Sequence, residues 1–497
     1  MKIAITTNPI EKQSKTCLMV GVFENGDLTP TAKMIDKISK GYLTKLVKNG
    51  DFLAKFGQTL SLFHLPHSQL AHVLLVGCGK PGKLSPIRFR KLMSGVVKTL
   101  NPKVTTITCY LTELSVDGEP SLPWKVKQLA EAAAEGAYQF DLFKTEKEPA
   151  RASKEIWIHL ANKQQLKPCQ IALQQSIAIA EGVQVTKNLA NLPSNICTPT
   201  FVAEQAKELA KIYSNMTVKV LSEKDMAKLG MGAILGVAQG SIEPAQLVCL
   251  EYKGTRKKQA PVALVGKGVT FDSGGNSLKP ADSMVGMKYD MCGAATVLGT
   301  FKAVAELKLP IHLVGVMPLV ENMPGGTAYK PEDILTSMSG QTIEIISTDA
   351  EGRVILSDAL TYCERYKPDV VIDIATLTGA VVVALGFHAT GLLSNDESLA
   401  KALLKAGEES NDRAWQLPLW DDYQEQLKSP FADMTNSGGR SGGVITAACF
   451  LSRFTKKFRW AHLDVAGTAA MMMGVQDRMA TGRPVPLLVQ YLLDRER

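Results

Sequence analysis

The chain has 497 residues, of which 45% are hydrophobic and 21% charged, and its formal net charge is +8. This length exceeds what one ordinary hydrophobic core holds, and the composition excludes a disordered, fibrous or membrane-spanning chain. We therefore predict a folded protein of two domains.

Signals for export or membrane insertion are not found in the sequence. The first residues turn polar by Thr6, so they do not form the apolar stretch of a secretory signal. The apolar run from 370 to 385 contains Asp373, and it predicts buried strands joined by a turn rather than a membrane span. Nine cysteines lie singly without a CxxC pair, which is typical of core thiols in a reducing compartment. We expect a cytoplasmic protein.

The first 165 residues predict a small α/β domain that serves as an oligomerisation or partner surface. Strand-like runs alternate with helix-like periodicity, over residues 17–23, 72–77 and 105–111 for the strands and over 86–100 and 126–138 for the helices. A charged stretch, a short strand-like run and a polar stretch follow, at 144–154, 156–160 and 162–165. We interpret these as the link to the second domain, with the boundary at residue 165.

Positive charge is concentrated in this first domain. Residues 1–165 contain 23 Lys and Arg against 14 Asp and Glu, a net charge of +9, whereas the remainder carries −1. The asymmetry favours a solvated basic face and leaves an anionic partner such as DNA as the alternative. Neither a helix-turn-helix signature nor basic residues interleaved with aromatic ones accompany the charge.

Residues 166–497 predict a larger catalytic α/β domain. A helical pattern over 169–189 ends at Asn191 and Pro193, which stop helices. Strand-like runs then alternate with helical ones, over 246–252, 262–266, 311–318 and 370–375 for the strands and over 294–307, 355–366, 399–409 and 444–454 for the helices. This alternation predicts a central mixed sheet flanked by helices.

Ionisable residues follow the predicted strands of this domain. The strand at 262–266 leads into Lys267 and Asp272, and open α/β sheets bind ligands at the carboxyl ends of their strands. Lys279, Lys288 and Asp290 come shortly after, and by themselves they are better explained as surface ion pairs.

A third segment contributes Asp349 and Glu351. If it is extended, these two side chains point to the same side, because side-chain direction alternates along a strand. Together with Asp272 and Asp290 they would repel one another unless divalent cations neutralised them. Such oxygen ligands suit Mn²⁺ or Mg²⁺, and Zn²⁺ also accepts them. Seven histidines without an HExxH motif disfavour a His-ligated zinc protease.

Two divalent ions at these carboxylates predict hydrolysis, since close metals lower the pKa of a shared water and polarise a carbonyl oxygen. Lys279 then suits stabilisation of an oxyanion, and Arg353 suits holding an anion or orienting water. Lys267 binds a metal only as the neutral amine, which nearby divalent ions favour by lowering its pKa. A two-metal phosphatase and an inactive scaffold are the alternatives.

Seven segments resemble motifs of the leucyl (cytosol) aminopeptidase family of bacterial type. They are GKGVTFDSGGNSLKP, MKYDMCGAATV, STDAEGRVILSDAL, DIATLTGA, NLPSNICTPT, SGGRSGGVITAACFL and WAHLDVAGTA. The resemblance extends over essentially all of residues 170–485, whereas the N-terminal part is similar only in style and length. Small departures from the family pattern occur at Ser347, Asn276, Tyr289 and Cys292.

This resemblance implies an aminopeptidase with two divalent ions, Mn²⁺ or Zn²⁺, per subunit. It implies metal ligation by Lys267, Asp272, Asp290, Asp349 and Glu351, catalytic roles for Lys279 and Arg353, and a pocket for the released side chain at Met287, Thr376 and Gly379. A bicarbonate at Arg353 serves as general base in the family. The resemblance further implies peptide substrates with an N-terminal Leu or other apolar residue, and a homohexamer.

Three further features have a structural and a functional interpretation. We interpret His462 as a buried structural histidine rather than a catalytic one. Residues 471–473, three methionines, are expected in the core or a pocket wall. The glycines between 438 and 443 indicate a flexible loop, with an anion site at the following helix as the alternative.

Overall fold

The computed structural model describes residues 1–13, 15–101, 103–150, 154–254, 259–471 and 478–496. The chain divides into two compact units, Met1–Ala180 and Glu181–Arg497. Each is an α/β assembly, which confirms the predicted fold class. The division falls within one long helix, and the domain boundary at residue 165 stays a prediction. Residues 472 and 473 lie outside the described part of the chain, while Met471 is about half exposed.

The first unit is a six-stranded sheet with helices on both faces. Its strands are β1 (Lys2–Thr6), β2 (Cys17–Val22), β3 (Thr59–Phe63), β4 (His72–Gly77), β5 (Thr106–Cys109) and β6 (Glu155–His159), and its helices are α1 (Pro30–Ile38), α2 (Tyr42–Lys48), α3 (Pro86–Thr99), α4 (Leu122–Ala137) and the start of α5 (Leu166–Asn191). The spatial order is β1-β6-β5-β2-β4-β3, and all neighbours are parallel except β3 and β4. Both faces of β2 are buried, because Met19 packs with α3 and α4 whereas Val20 packs with α1 and α2.

One part of the predicted link between domains was wrong. Residues 156–160 were assigned to the link, but β6 lies inside the first sheet, between β1 and β5. Ile156 and Ile158 alternate with partly exposed residues and are fully buried. This alternation is what a strand at that position requires.

Local sequence signals start several of the helices. Ser85, Ser121 and Thr198 each accept a hydrogen bond from a backbone N–H of the first turn, and a proline lies at N1 or N2 in each case. Such caps satisfy N–H groups that would otherwise be unpaired. Proline is tolerated in the first turn because the N–H group that it lacks has no partner within the helix. The predicted helices at 86–100 and 126–138 therefore begin close to their predicted positions.

The second unit is built around a nine-stranded mixed sheet. Its strands and helices, in chain order after α5, are α6 (Pro199–Ile212), β7 (Met216–Leu221), α7 (Glu223–Lys228), α8 (Gly232–Ala238), β8 (Gln246–Lys253), β9 (Val262–Gly266), β10 (Gly268–Asp272), α9 (Ala281–Met284), α10 (Cys292–Glu306), β11 (His312–Asn322), β12 (Ile334–Thr336), β13 (Thr342–Glu344), α11 (Glu351–Cys363), β14 (Val370–Ala375), α12 (Gly379–Leu385), β15 (Thr390–Ser394), α13 (Glu397–Ser410), β16 (Ala414–Gln416), β17 (Met434–Thr435), α14 (Gly443–Ser452), β18 (Arg459–Asp464), β19 (Ala470–Met471), β20 (Met479–Ala480) and α15 (Val485–Asp494).

The centre of this sheet is parallel and its edges are mixed. The order is β16-β15-β18-β14-β9-β11-β8-β7, with β10 paired to β11, and β18, β14, β9 and β11 run parallel. On one face the strands pack against α8, α11 and α14. On the other face α10 comes so close to β11 that a Cβ at Gly315 would lie 2.8 Å from Phe301 and Val297. β12, β13 and β17 form a separate small sheet.

The apolar run from 370 to 385 is only half strand, which corrects the prediction of two buried strands. β14 ends at Ala375, and α12 occupies the second half of the run. Thr378 initiates this helix, since its side chain accepts a hydrogen bond from Val381 N. Within the described residues, no helix combines the length and the apolar character needed to cross a bilayer.

Candidate active site

The central strands of the second unit place the predicted site residues at one edge of the sheet. Lys267 directly follows β9 and Asp272 ends β10, as the sequence predicted. Asp290 lies in a 3₁₀ helix, Met287–Met291, that leads into α10. A Cβ at Gly293 would lie 2.1 Å from Ile374 O and 2.7 Å from Lys267 N, so glycine permits this close approach. The approach brings Asp290 beside Lys267.

The segment with Asp349 and Glu351 is not extended, contrary to the prediction. Thr348–Ala350 is a 3₁₀ helix, and α11 begins at Glu351. Ser347 caps this turn, because its side chain accepts a hydrogen bond from Asp349 N at 3.3 Å. Both carboxylates still reach the site. A tight turn that leads into α11 directs them there, whereas the prediction relied on the alternation of side chains along a strand.

Carboxylates and lysines interleave in the site. Oxygens of Asp272, Asp290 and Glu351, all buried, lie within 4.8 Å of one another. Lys267 Nζ is 2.8 Å from oxygens of Asp290 and Glu351. Lys279 Nζ is 2.7 Å from Asp272 and also contacts Asp349, whose side chain is 39% exposed. The structure therefore brings together the five predicted ligands and Lys279.

The electrostatics of this cluster favour an added cation. Burial raises the pKa values of Asp290, Glu351 and Asp349. Burial also lowers the pKa of Lys267, but nearby carboxylates outweigh it, so the pKa rises and the amine is protonated. Glu351 Oε2 is buried and has no hydrogen-bond partner among the described residues. Clustered oxygens, one of them unpartnered, fit the ligand chemistry of a divalent ion.

Arg353 lies two residues after Glu351 on α11 and is almost fully buried. Burial lowers its pKa to about 10, against the opposing effect of Glu351 and Asp464, so the guanidinium stays charged at neutral pH. Its Nη1 donates a hydrogen bond to Asn436 O at 3.0 Å, and its buried Nε has no partner among the described residues. Arg353 is thus a charged donor with unused hydrogen-bonding capacity.

Of the three predicted pocket residues, Thr376 contacts the ligand cluster and Met287 lies close to it along the chain. Thr376 donates its hydroxyl to Asp290 Oδ1 at 2.8 Å, and its carbonyl accepts from Lys267 Nζ at 2.9 Å. Met287 begins the 3₁₀ helix that carries Asp290. Gly379 begins α12, and a Cβ at this position would meet no atom within 4 Å, so it borders open space.

Sequence reasoning missed two residues that hold the site from β11 and the loop after it. Asn322 is fully buried, and its Nδ2 donates to Asp272 Oδ1 at 2.8 Å and to Thr348 O at 2.9 Å. Tyr329 donates its hydroxyl to the same carbonyl at 2.8 Å. Both lie far along the chain from the carboxylates they support, and neither belongs to a motif, so the sequence contained no local signal for them.

Asp464 is a third missed residue, and it anchors the loop between β14 and α12. Its carboxylate is buried and accepts hydrogen bonds from Leu377 N at 3.2 Å and from the Thr378 hydroxyl at 2.7 Å. Because Thr376 adjoins these residues, Asp464 fixes the position of the Thr376 hydroxyl and carbonyl at Asp290 and Lys267.

His462 is buried and hydrogen-bonded, as predicted for a structural histidine. The side chain is completely buried, and Nδ1 is 2.6 Å from Asp373 Oδ1, while Trp460 Nε1 donates to the other oxygen of Asp373 at 2.6 Å. Gly439 and Gly442 have φ values of 81° and 62°, so these two glycines are needed for the backbone turn before α14.

A buried set of carboxylates and lysines at the edge of an α/β sheet is typical of metal-dependent hydrolases. Comparison with protein families agrees with this class. The model of the cytosol aminopeptidase family, catalytic domain, matches residues 184–489, and the N-terminal domain of the same family matches residues 19–147. The chain belongs to the cytosol aminopeptidase family and is an aminopeptidase.

Relatives and solved structures support the assignment over the whole chain. The chain is 53% identical over 497 residues to the probable cytosol aminopeptidase of Thioalkalivibrio sulfidiphilus, covering 100% of both chains. It is 54% identical over 501 residues to that of Nitrosospira multiformis, covering 100% of this chain and 96% of the relative. A tomato leucine aminopeptidase mutant is similar at 31% identity with a TM-score of 0.87, over 99% of this chain and 96% of that one. The bottromycin maturation enzyme BotP in complex with Mn is similar at 32% identity and a TM-score of 0.83, over 97% and 99%.

Proposed function

We propose that this aminopeptidase uses two divalent metal ions to release N-terminal residues, preferentially Leu or another apolar residue, from peptides. The convergence of buried oxygens from Asp272, Asp290 and Glu351 supports this proposal most strongly. Three carboxylates packed this closely repel one another, and the described residues offset that repulsion with two lysines and with hydrogen bonds from Thr376 to Asp290 and from Asn322 to Asp272. Ordinary surface ion pairing does not bury carboxylates to this extent.

The proposed ligands are Lys267, Asp272, Asp290, Asp349 and Glu351, and the ions are Mn²⁺ or Zn²⁺. The oxygen-rich donor set suits Mn²⁺ and is also accepted by Zn²⁺. One similar structure is described as a complex with Mn. Lys267 is in direct contact with two of the carboxylates, so a divalent ion bound there would compete with its proton and favour the neutral amine that ligation needs.

The remaining residues of the site have different roles in the proposed reaction. Bound ions would polarise the substrate carbonyl and lower the pKa of the attacking water. Lys279 stays protonated and is placed to stabilise negative charge that develops on the carbonyl oxygen. Arg353 keeps a charged guanidinium with a free buried Nε, which suits an anion such as the bicarbonate proposed as general base.

The proposed pocket for the released side chain is formed by Met287, Thr376 and Gly379. The open space beside Gly379 leaves room for a substrate side chain, and Met287 supplies an adaptable apolar surface. Met287 and Thr376 are each tied to Asp290, either through its 3₁₀ helix or through a hydrogen bond. Specificity and metal binding are therefore linked at the same carboxylate.

Release of p-nitroaniline from leucine p-nitroanilide tests the proposal. We expect Mn²⁺-dependent release that a chelator abolishes and that Asp349→Ala reduces to background. Asp422→Ala removes an exposed carboxylate of the same unit and should leave the rate unchanged. Release that persists in the presence of a chelator, or full activity in Asp349→Ala, would contradict the two-metal proposal.

A homohexamer and a cytoplasmic location belong to the same proposal. The hexamer rests on the family resemblance and on several large apolar side chains that the second unit exposes, among them Trp415, Trp420, Phe431 and Val383. The location is supported by nine free and buried cysteines, which suit a reducing compartment.

The nucleic-acid alternative gains no support from the contacts of the first unit. Arg90 lies 2.8 and 3.2 Å from the carboxylates of Glu131 and Glu135. Lys125 and Lys154 donate to backbone carbonyls, so these cations are directed inward rather than toward phosphates. DNA binding stays a prediction, and duplex affinity that falls steeply with salt would be needed to establish it.

A further inference from the structure

Asn436, the residue after β17, joins the two parts of the site that supply Asp349 and Arg353. Its side chain is completely buried. Oδ1 accepts hydrogen bonds from Ile346 N at 2.8 Å and Ser347 N at 3.3 Å, and Nδ2 donates to Ser347 O at 2.7 Å. Its backbone carbonyl accepts the hydrogen bond from Arg353 Nη1. We propose that Asn436 is a positioning residue that holds the Asp349 loop and the Arg353 guanidinium in place for the reaction.

An amide side chain is needed at position 436 because the small sheet of β12, β13 and β17 ends there, and the backbone groups beyond its end require other hydrogen-bond partners. β13 and β17 pair in parallel up to Glu344 and Thr435, and Asn436 N donates to Glu344 O at 2.9 Å. Beyond that point the chain leaves the strand, and Ile346 and Ser347 have no strand partner. One amide group offers both donors and acceptors, so it replaces the backbone ladder for these two residues.

This support reaches the carboxylate through one more step. Ser347 accepts the hydrogen bond from Asp349 N, so a shift of Ser347 moves the turn that presents the Asp349 carboxylate. The opposite side of the turn is already fixed, because Asn322 and Tyr329 both donate to Thr348 O. Asn436 completes the support from the second side. Residues of this kind typically matter because small displacements at a metal site have large effects.

Asn436→Ala tests this role, which rests on the proposed two-metal function. The variant keeps the backbone carbonyl but removes every side-chain hydrogen bond to Ile346 and Ser347. We expect the Mn²⁺ affinity of the metal-free protein, measured by calorimetry, and kcat for leucine p-nitroanilide to fall about 10- to 100-fold. KM should change far less, because no contact with the substrate pocket is removed.

Thr435→Val is the matched control. Thr435 is the buried neighbour on β17, and its hydroxyl donates only to Ser437 O at 3.2 Å among the described residues. Both variants remove a buried polar side chain from the same strand end, so both lower thermal stability. Mn²⁺ affinity and kcat should stay at the wild-type values in Thr435→Val alone, which separates positioning from general destabilisation.

Asn436→Asp keeps the side-chain volume and both accepted bonds, but it replaces the donation to Ser347 O by a buried oxygen that faces this carbonyl. Where this variant folds, it should show a fall in Mn²⁺ affinity and kcat at least as large as that of the alanine variant. Wild-type values of both in either folded variant would overturn the inference. If the wild-type protein itself neither binds Mn²⁺ nor releases p-nitroaniline, the proposed function fails and the inference with it.

Discussion

Two lysines in one site have opposite requirements. In the proposed mechanism, Lys267 loses its proton to bind a metal, whereas Lys279 keeps its proton to stabilise an oxyanion. The structure separates them by their surroundings: Lys267 is sealed between Asp290 and Glu351, and Lys279 is somewhat more exposed. The ammonium at Lys267 is thus the one that a bound cation would displace.

Substitution of these lysines should therefore have different consequences. Lys279→Met removes the proposed oxyanion contact, so kcat should fall about 10²- to 10³-fold while Mn²⁺ affinity is kept. Lys267→Met should weaken Mn²⁺ binding itself, as calorimetry on the metal-free protein would show. Lys428→Met, at an exposed position, is the control. Equal loss of metal affinity in both site variants would contradict the division of roles.

At the scale of elements, α11 links the site to the core beneath it. Glu351 and Arg353 lie in its first turn, and Asp358 lies lower down, fully buried. The Asp358 carboxylate accepts hydrogen bonds from Ile234 N at 2.9 Å and Met338 N at 2.7 Å. Burial raises its pKa to about 7 although these bonds oppose the shift.

This raised pKa predicts a dependence of stability on pH. The folded state holds the Asp358 proton up to about pH 7, whereas the unfolded state releases it near pH 4, so unfolding becomes easier as pH rises between these values. The shift corresponds to about 4 kcal/mol of unfolding free energy. Asp358→Asn should lose this slope in urea unfolding between pH 4 and pH 7. An unchanged slope would contradict the assignment.

A second element, the loop before α12, depends on Asp464. Asp464→Asn should leave the Leu377 N–H or the Thr378 hydroxyl poorly paired and loosen the position of Thr376. Because Thr376 forms part of the proposed substrate pocket, KM for leucine p-nitroanilide should rise. Asp396→Asn, which alters the cap of α13, is the control for stability alone. A wild-type KM in Asp464→Asn would contradict this role.

At the scale of the whole molecule, the nine cysteines provide a test of burial. All are buried, and burial raises the pKa of Cys17, Cys78, Cys109 and Cys197 to about 12. The native protein should therefore react only slowly with a disulfide reagent, and all nine thiols should react in denaturant. Rapid reaction of several thiols in the native protein would show that the packing is looser than described.

Assembly is the second property at this scale. Sedimentation should give a species of six chains, each of 53.8 kDa. The exposed apolar side chains of the second unit would be covered on association, which supplies the driving force. A stable, active monomer would contradict the proposed hexamer.

Motifs and periodicity predicted much of this molecule from the sequence. The α/β class and strands such as Val262–Gly266 and His72–Gly77 follow from apolar runs, and Lys267 and Asp272 follow from their place after such a run. Asp290 and Glu351 were assigned to the same site through the family resemblance, since the extended geometry expected for Glu351 was wrong. These signals are local, so they can be interpreted from the sequence before the tertiary structure is known.

What could not be predicted depends on long-range packing. The supports Asn322, Asp464 and Asn436 act on residues 50 to 90 positions away, and single polar residues show no periodic signal. The tight turn at Asp349 resembles an extended segment in sequence, because its geometry is imposed by hydrogen bonds from these distant residues. The assignment of β6 to the link failed for the same reason, since only the sheet shows its neighbours.

Anomalous diffraction from crystals soaked in Mn²⁺ tests the central claim most directly. The proposal predicts two peaks about 3.5 to 4 Å apart, in contact with Asp272, Asp290, Asp349, Glu351 and the amine of Lys267. A single peak, or peaks that lie away from these side chains, would contradict a two-metal aminopeptidase site.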